Sequence, residues 1–264
     1  MKVKQKTDLN IIAFVLATVA LLQQSQSGIT PALAEIGKAF PNSPGSYLAM
    51  LNTLPVLASI PATFLAGRVA AKKISHKTLL IVGMCFMLIA GAGGTACNKM
   101  YQLAVMRILF GLGLGVMATT LTDLTLGVFK NEQAKKQLAL NAICASLGSI
   151  ALQFLGGYLC LIGWRYTFLC YLLVAAPLLI AVLYLPAHAG AVPQSTDIPA
   201  KKSGNGHINV KQTVKWCSVF ALFFIAFYVY VNNMSSIVVD SGYGTTGDAA
   251  LVLSVFGLGG VLGG

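Results

Sequence analysis

Apolar residues run through this chain in long blocks separated by short polar breaks, not in the alternation of half-buried strands. Crossing about 30 Å of hydrocarbon takes roughly 20 helical residues. Eight blocks reach or approach that length: 10–34, 45–70, 78–97, 101–129, 137–161, 166–186, 213–235 and 248–264. The first is polar in its second half, and the last stops short at the chain end. Each is predicted as a helix, because in lipid every backbone amide must be satisfied within its own segment.

Composition turns this pattern into a class. Of 264 residues, 56% are hydrophobic and 9% are charged, against about 25% charged in an average soluble domain. So few charges cannot cover a soluble globule, and the mean hydropathy of +0.78 agrees. The expected fold class is all-α membrane. Lys2, Lys4 and Lys6 before the apolar stretch 11–22 imitate a secretory signal. No small-x-small cleavage pattern follows, and further apolar runs do, so a retained first span is the better reading.

The net charge of +11 could indicate nucleic acid or anionic lipid. The positions of the bases decide otherwise. With the N-terminus cytoplasmic, only Lys38, Lys99 and Arg165 fall outside and Arg107 falls within a span. The other fourteen of the 18 bases lie inside. The positive-inside rule therefore predicts an N-in, multi-pass protein and explains the basic balance without nucleic acid. The six cysteines lack C-x-x-C spacing and lie mostly in apolar runs, so they read as small core hydrophobes. No metal or cofactor is expected.

Residues 187–212 are polar, rich in Gly and Pro, and longer than any other connection. They read as a cytoplasmic linker between an N-terminal six-helix bundle (1–186) and the start of a C-terminal bundle (213–264). His188 and His207 in it read as solvated. The chain stops within an apolar run at 257–264, so it is expected to be a fragment carrying about eight spans.

Several strings resemble signatures of the major facilitator superfamily. GRVAAKKISHKTLL (67–80) resembles its loop 2–3 motif, with Ala71 in place of the acid, Ile74 of Gly and Ser75 of Arg. RILFGLGLG (107–115) is similar to its span 4 motif, and GSIALQFLGG (148–157) to its antiporter motif with Leu152 and Gln153 in place of Gly-Pro. GWRYTF (163–168) and ITPAL (29–33) resemble the start of span 6 and the end of span 1 in drug-efflux members. The resemblance implies two six-helix bundles, alternating access around a mid-membrane site, and about four spans beyond this chain.

Candidate site residues follow. Arg107 lies about 9 Å in from the start of span 4 by helical rise. An intramembrane base points to substrate-anion contact or to tuning of a proton site, with snorkelling or a structural role as the alternative. Asp123 is expected to pair with bases of the gating loop (Gly67, Arg68, Lys72, Lys73, Lys77). The resemblance implies that such a charge cluster latches one conformation. Gln23, Gln26, Ser27 and Thr30 fall at i, i+3, i+4 and i+7, one face of a helix. That face, with Asn52, Gln153 and Asn232, should line a polar cavity or bond neighbouring helices. Gly111, Gly113, Gly115, Gly148, Gly156 and Gly157 permit close helix approach; no strand or Lys-Ser/Thr accompanies them as a phosphate loop requires.

The expected function is a monomeric secondary transporter of the plasma (inner) membrane, exporting small organic or drug-like compounds. Coupling to protons is implied by the resemblance. Since Glu35, Asp240 and Asp248 sit at or beyond the span ends, a proton carrier must be Asp123, lie outside this chain, or be absent. Uptake or facilitated diffusion through the same fold, and a non-transporting membrane protein, are the alternatives. An enzyme would need clustered His and acids, and these are scattered.

Overall fold

Helices form where the apolar blocks lie. The computed structural model describes residues 2–41, 44–70, 74–186 and 210–263, and no strand occurs among them. Span 1 is assembled from α1 (Lys2–Ala20), a 3-10 segment (Ser25–Ala32) and α2 (Leu33–Ala39). Spans 2 to 5 are α3 (Gly45–Ala70), α4 (His76–Gly93), α5 (Met100–Val128) and α6 (Glu132–Cys160). Span 6 begins as a 3-10 segment (Tyr166–Val174) and continues as α7 (Ala175–Tyr184). Helices α8 (Val210–Asp240) and α9 (Thr246–Gly263) occupy the places of spans 7 and 8. Among the described residues, six helical stretches, those of spans 1 to 6, are long and apolar enough to cross a membrane.

Three expectations change here. Span 1 is not one α-helix: at three residues per turn, Gln23 and Gln26 share one edge while Gln24, Ser27 and Thr30 share the next. Gly28 and Pro31 sit in this stretch, and Pro31 has no N–H to give a helical ladder. Gly67 and Arg68, read as loop, belong to the last turn of α3, and both are exposed. The linker is expected to run to residue 212, but helix begins at Val210. Residues 187–209, with His188 and His207, lie outside the described residues, as do Lys72 and Lys73.

Local chemistry sets the helix ends. Ser75 caps α4 by accepting from the Thr78 N–H at 3.2 Å. Gln102 accepts from the N–H groups of Asn98 and Lys99 before α5. Asp248 accepts from the Thr245 N–H and hydroxyl at 2.7 and 2.8 Å, a capping box for α9. Between spans 4 and 5 the chain turns at Asn131, with φ 51° and ψ −124°. That region favours glycine, so Asn131→Gly should stabilise the fold by about 1 kcal/mol. Thermal unfolding in detergent checks this; an unchanged or lower midpoint argues against the strain.

Glycines let the spans meet backbone to backbone. Span 4 packs along spans 2 and 3: Gly111 and Gly115 lie under the carbonyls of Pro55 and Ser59, and Gly113 against that of Gly83. Span 5 meets span 1 through Gly148 at the Leu21 carbonyl and Gly156 at the Gly28 carbonyl. Gly157 faces Ala250 of span 8. The outward faces are apolar, with Phe64 71% and Leu183 72% exposed, as lipid contact requires.

The loops gather at two ends. At one, Phe40 stacks on Trp164 with ring centroids 5.4 Å apart, and Arg165 donates to Asn98 at 2.7 Å. At the other, Lys77 Nζ donates to the Val182 carbonyl at 2.7 Å. These are called below the Phe40 end and the Lys77 end.

Candidate functional site

The 3-10 stretch of span 1 bonds its polar side chains to spans 5 and 2, and through span 2 to span 7. Ser27 Oγ lies 2.9 Å from Ser149 Oγ of span 5, and Gln153 Nε2 donates to both hydroxyls at 3.1 and 2.8 Å. Thr30 Oγ1 accepts from Asn52 Nδ2 of span 2 at 3.2 Å. The same Nδ2 donates to Asn232 Oδ1 of span 7 at 2.6 Å. Gln26 donates to Gln24 at 3.1 Å. Gln23 is half-buried.

Of the residues expected to line a cavity or bond neighbouring helices, Ser27, Thr30, Asn52, Gln153 and Asn232 fall in two interhelical hydrogen-bonded groups, while Gln23 and Gln26 join neither. Ser27 and Gln153 join spans 1 and 5; Thr30, Asn52 and Asn232 join spans 1, 2 and 7. Several of these side chains keep a free end. Gln26 Oε1, Asn52 Oδ1, Gln153 Oε1 and Ser25 Oγ are buried without a hydrogen-bond partner among the described residues. Unpaired polar atoms in an apolar bundle cost roughly 1–3 kcal/mol each. Two of the four lie on the 3-10 stretch and two on side chains bonded to it.

Arg107 is 2% exposed. Its Nη1 donates to Tyr171 Oη at 3.0 Å, and its guanidinium lies 5.0 Å from the Phe168 and Tyr171 ring centroids and 5.5 Å from that of Phe110. The Tyr171 phenol oxygen also sits against Gly28 of span 1. The Arg107 charge therefore reaches the 3-10 stretch of span 1 through one phenol. Its Nη2 has no partner, and no acid pairs with it among the described residues. Aromatic faces supply the compensation, each worth about 0.5–2 kcal/mol when desolvated. Snorkelling is ruled out by this enclosure.

Asp123 is half-buried and makes no ion pair among the described residues. The expected partner Lys77 is engaged by the Val182 carbonyl instead. The acceptor is the last turn of α7, where unsatisfied carbonyls attract a cation. Arg68 is exposed and forms no ion pair among the described residues.

Two features escaped the sequence reading. Gln137 Nε2 donates to Asn141 Oδ1 (3.0 Å) and to the Ala13 carbonyl (3.1 Å), while Asn141 donates to Thr125 (3.1 Å). This buried group ties spans 1, 4 and 5. Its signal was the i, i+4 pair of amides in span 5. The second feature is an apolar hollow of about 240 Å³ between spans 1, 5 and 6, lined by Leu21, Leu22, Leu152, Leu173, Pro177 and Ile180 among others.

Comparison with known proteins follows from this geometry. The family model described as Major Facilitator Superfamily matches residues 14–264. A multidrug transporter of that superfamily from Aspergillus fumigatus, mfsC, is 28% identical over 138 residues, 51% of this chain and 26% of the relative. Among solved structures, a D-xylose–proton symporter superposes with TM-score 0.62 at 14% identity, covering 94% of this chain and 65% of that one. A bacterial homologue of the human peptide transporters PepT1 and PepT2 gives 0.61 at 12%, covering 93% and 51%. The chain spans about a quarter of the curated relative and between half and two-thirds of these structures. With the family model covering nearly all of its length, the all-helical chain belongs to the major facilitator superfamily.

Proposed function

We propose that this chain supplies the N-terminal bundle (1–186), the linker (187–209) and the start of the C-terminal bundle, from the helix that begins at Val210, of a secondary active transporter. It exports small organic, drug-like compounds across the plasma membrane in exchange for protons. The observation that carries this is the set of hydrogen-bonded side chains around the span 1 break, among which Gln26, Asn52 and Gln153 keep an amide oxygen without a partner among the described residues, with Ser27 and Asn232 bonded beside them. A substrate with a polar group can satisfy those ends. The N-terminus and the Lys77 end face the cytoplasm, as the distribution of bases favours. Drug-like substrates are supported by the fungal relative, a multidrug transporter, and protons by the D-xylose–proton symporter.

Arg107 acts here through Tyr171, setting the position of the span 1 break rather than touching substrate. Asp123 lies toward the Lys77 end of span 4, makes no ion pair among the described residues, and is the carboxylate assigned here to proton coupling. Gly67, Arg68, Lys72, Lys73 and Lys77 form the gating segment at the cytoplasmic face.

Asp123→Asn tests the coupling. In inside-out vesicles loaded with a pH-gradient dye, the variant should lose gradient-driven accumulation of a fluorescent cationic drug by tenfold or more, on the order expected for loss of an essential protonation step. Gradient-independent exchange of the same drug should remain. Accumulation equal to wild type removes Asp123 from coupling; accumulation that never depends on the gradient favours a facilitator.

A further inference from the structure

Span 7 touches the rest of the chain in a way that repairs span 1. At the junction between the 3-10 stretch and α2, Leu33 N–H bonds the Thr30 carbonyl. The Ser235 hydroxyl enters the ladder one step further on. It accepts from the Ala34 N–H at 3.4 Å and donates to the Pro31 carbonyl. Ser235 is fully buried, Ala34 is 5% exposed, and Pro31 is buried. One turn earlier on the same helix, Asn232 accepts from Asn52, which also holds Thr30.

This seam is closed at the Phe40 end. There Thr246 Oγ1 also reaches the Gly157 carbonyl at 3.5 Å, between spans 8 and 5. Toward the other end of span 7, Val214, Trp216, Val219 and Leu222 are exposed. A side chain inserted into a helical ladder distorts it, yet here it also supplies partners to groups that cannot stay unpaired at membrane depth.

We propose that Ser235 is a positioning residue: its hydroxyl completes the span 1 backbone at Pro31 and Ala34 only while the seam is closed at the Phe40 end. It thereby holds the Ser27–Thr30 edge in its hydrogen-bonding position in that state. This rests on the alternating-access reading above. When the seam opens, the Pro31 carbonyl and the Ala34 N–H lose their partner together, so opening the Phe40 end and loosening the polar edge of span 1 are one event. The hydroxyl biases the transporter toward closure at this end and tightens substrate binding in that state.

The test compares Ser235→Thr with Ser235→Val, two side chains of the same shape that differ by the hydroxyl. The reporter is Thr246→Cys, buried in the same seam, labelled with a membrane-impermeant maleimide from the Phe40 side. Parents without Thr246→Cys serve as blanks for the native cysteines. Ser235→Val should raise the labelling rate on the order of fivefold, the effect of one lost neutral hydrogen bond on the equilibrium. Ser235→Thr should stay near wild type. In exchange assays Ser235→Val should raise the apparent KM for substrate more than it changes the maximal rate, and Ser235→Thr should restore it. Val and Thr variants that label alike, whether both slow or both fast, overturn the proposal. Ser235→Ala, which adds no bulk, should behave as Val, and a wild-type rate for Ala equally overturns it. The labelling arm needs no substrate, so failure of wild type to transport would count against the transporter reading while labelling still decides on Ser235.

Discussion

Arg107→Met leaves the protein folded and reduces substrate flux by tenfold or more. The guanidinium is enclosed, has an unpaired Nη2 and faces no carboxylate among the described residues. Three aromatic faces and one phenol offset only part of its desolvation cost, which is several kcal/mol for a buried ion. A Met of similar reach fills the space between Phe110, Phe168 and Tyr171 and removes that cost. Its thermal midpoint should therefore equal or exceed that of wild type. What Met cannot do is donate to Tyr171, whose phenol packs against Gly28 in the span 1 break. The span 1 break then loses its anchor, and transport falls although stability does not. Thermal unfolding and vesicle flux on the same preparation decide the matter. A destabilised Met variant would make Arg107 a structural residue, and a stable one with normal flux would end its role in transport.

The second large effect is steric. A Cβ built on Gly148 overlaps the Leu21 carbonyl, and one on Gly156 overlaps the Gly28 carbonyl. Both partners are backbone, so no side-chain rotation relieves the overlap. Gly148→Val and Gly156→Val should each cost about 3 kcal/mol or more, the upper range for overpacking. Size-exclusion chromatography in detergent should show loss of the monodisperse species. Gly67 is the control. It is helical, exposed and has nothing within 4 Å of an added Cβ among the described residues. Gly67→Ala should be neutral or stabilise by about 0.5–1 kcal/mol. Normal behaviour of both Val variants would mean that spans 1 and 5 do not pack as closely as described.

What could be read in advance follows from which forces act locally. Span positions depend on length and hydropathy, and α3 to α6 lie where the apolar blocks predict. The glycines of spans 4 and 5 were legible because small residues at these spacings serve helix approach, as the Pro55 and Leu21 contacts bear out. The breaks were not legible. A spacing of 23, 26, 27 and 30 fits a 3.6-residue period, and nothing in it distinguishes a 3-10 turn. The distinction comes from tertiary bonds: Ser27 to span 5, Thr30 to span 2, and Ser235 to Pro31. Arg107 was found by its charge, but its partner Tyr171 is 64 residues away and looks like any span aromatic. The pairing expected for Asp123 failed at Lys77 because a helix C-terminus, invisible in a linear pattern, took that lysine.

The two 3-10 stretches also change how much membrane these spans cross. A 3-10 segment climbs about 2.0 Å per residue against about 1.5 Å in an α-helix. The eight residues of Ser25–Ala32 and the nine of Tyr166–Val174 each reach roughly 4 Å further than α-helix would. The two stretches touch one another, so they lengthen the same part of the bundle. Mismatch between protein and bilayer costs fractions of a kcal/mol per Å. Thicker bilayers therefore favour the stretched form and thinner ones the wound form. Lipid composition thereby acts on the segment that carries Ser27 and Thr30 without a lipid touching either residue.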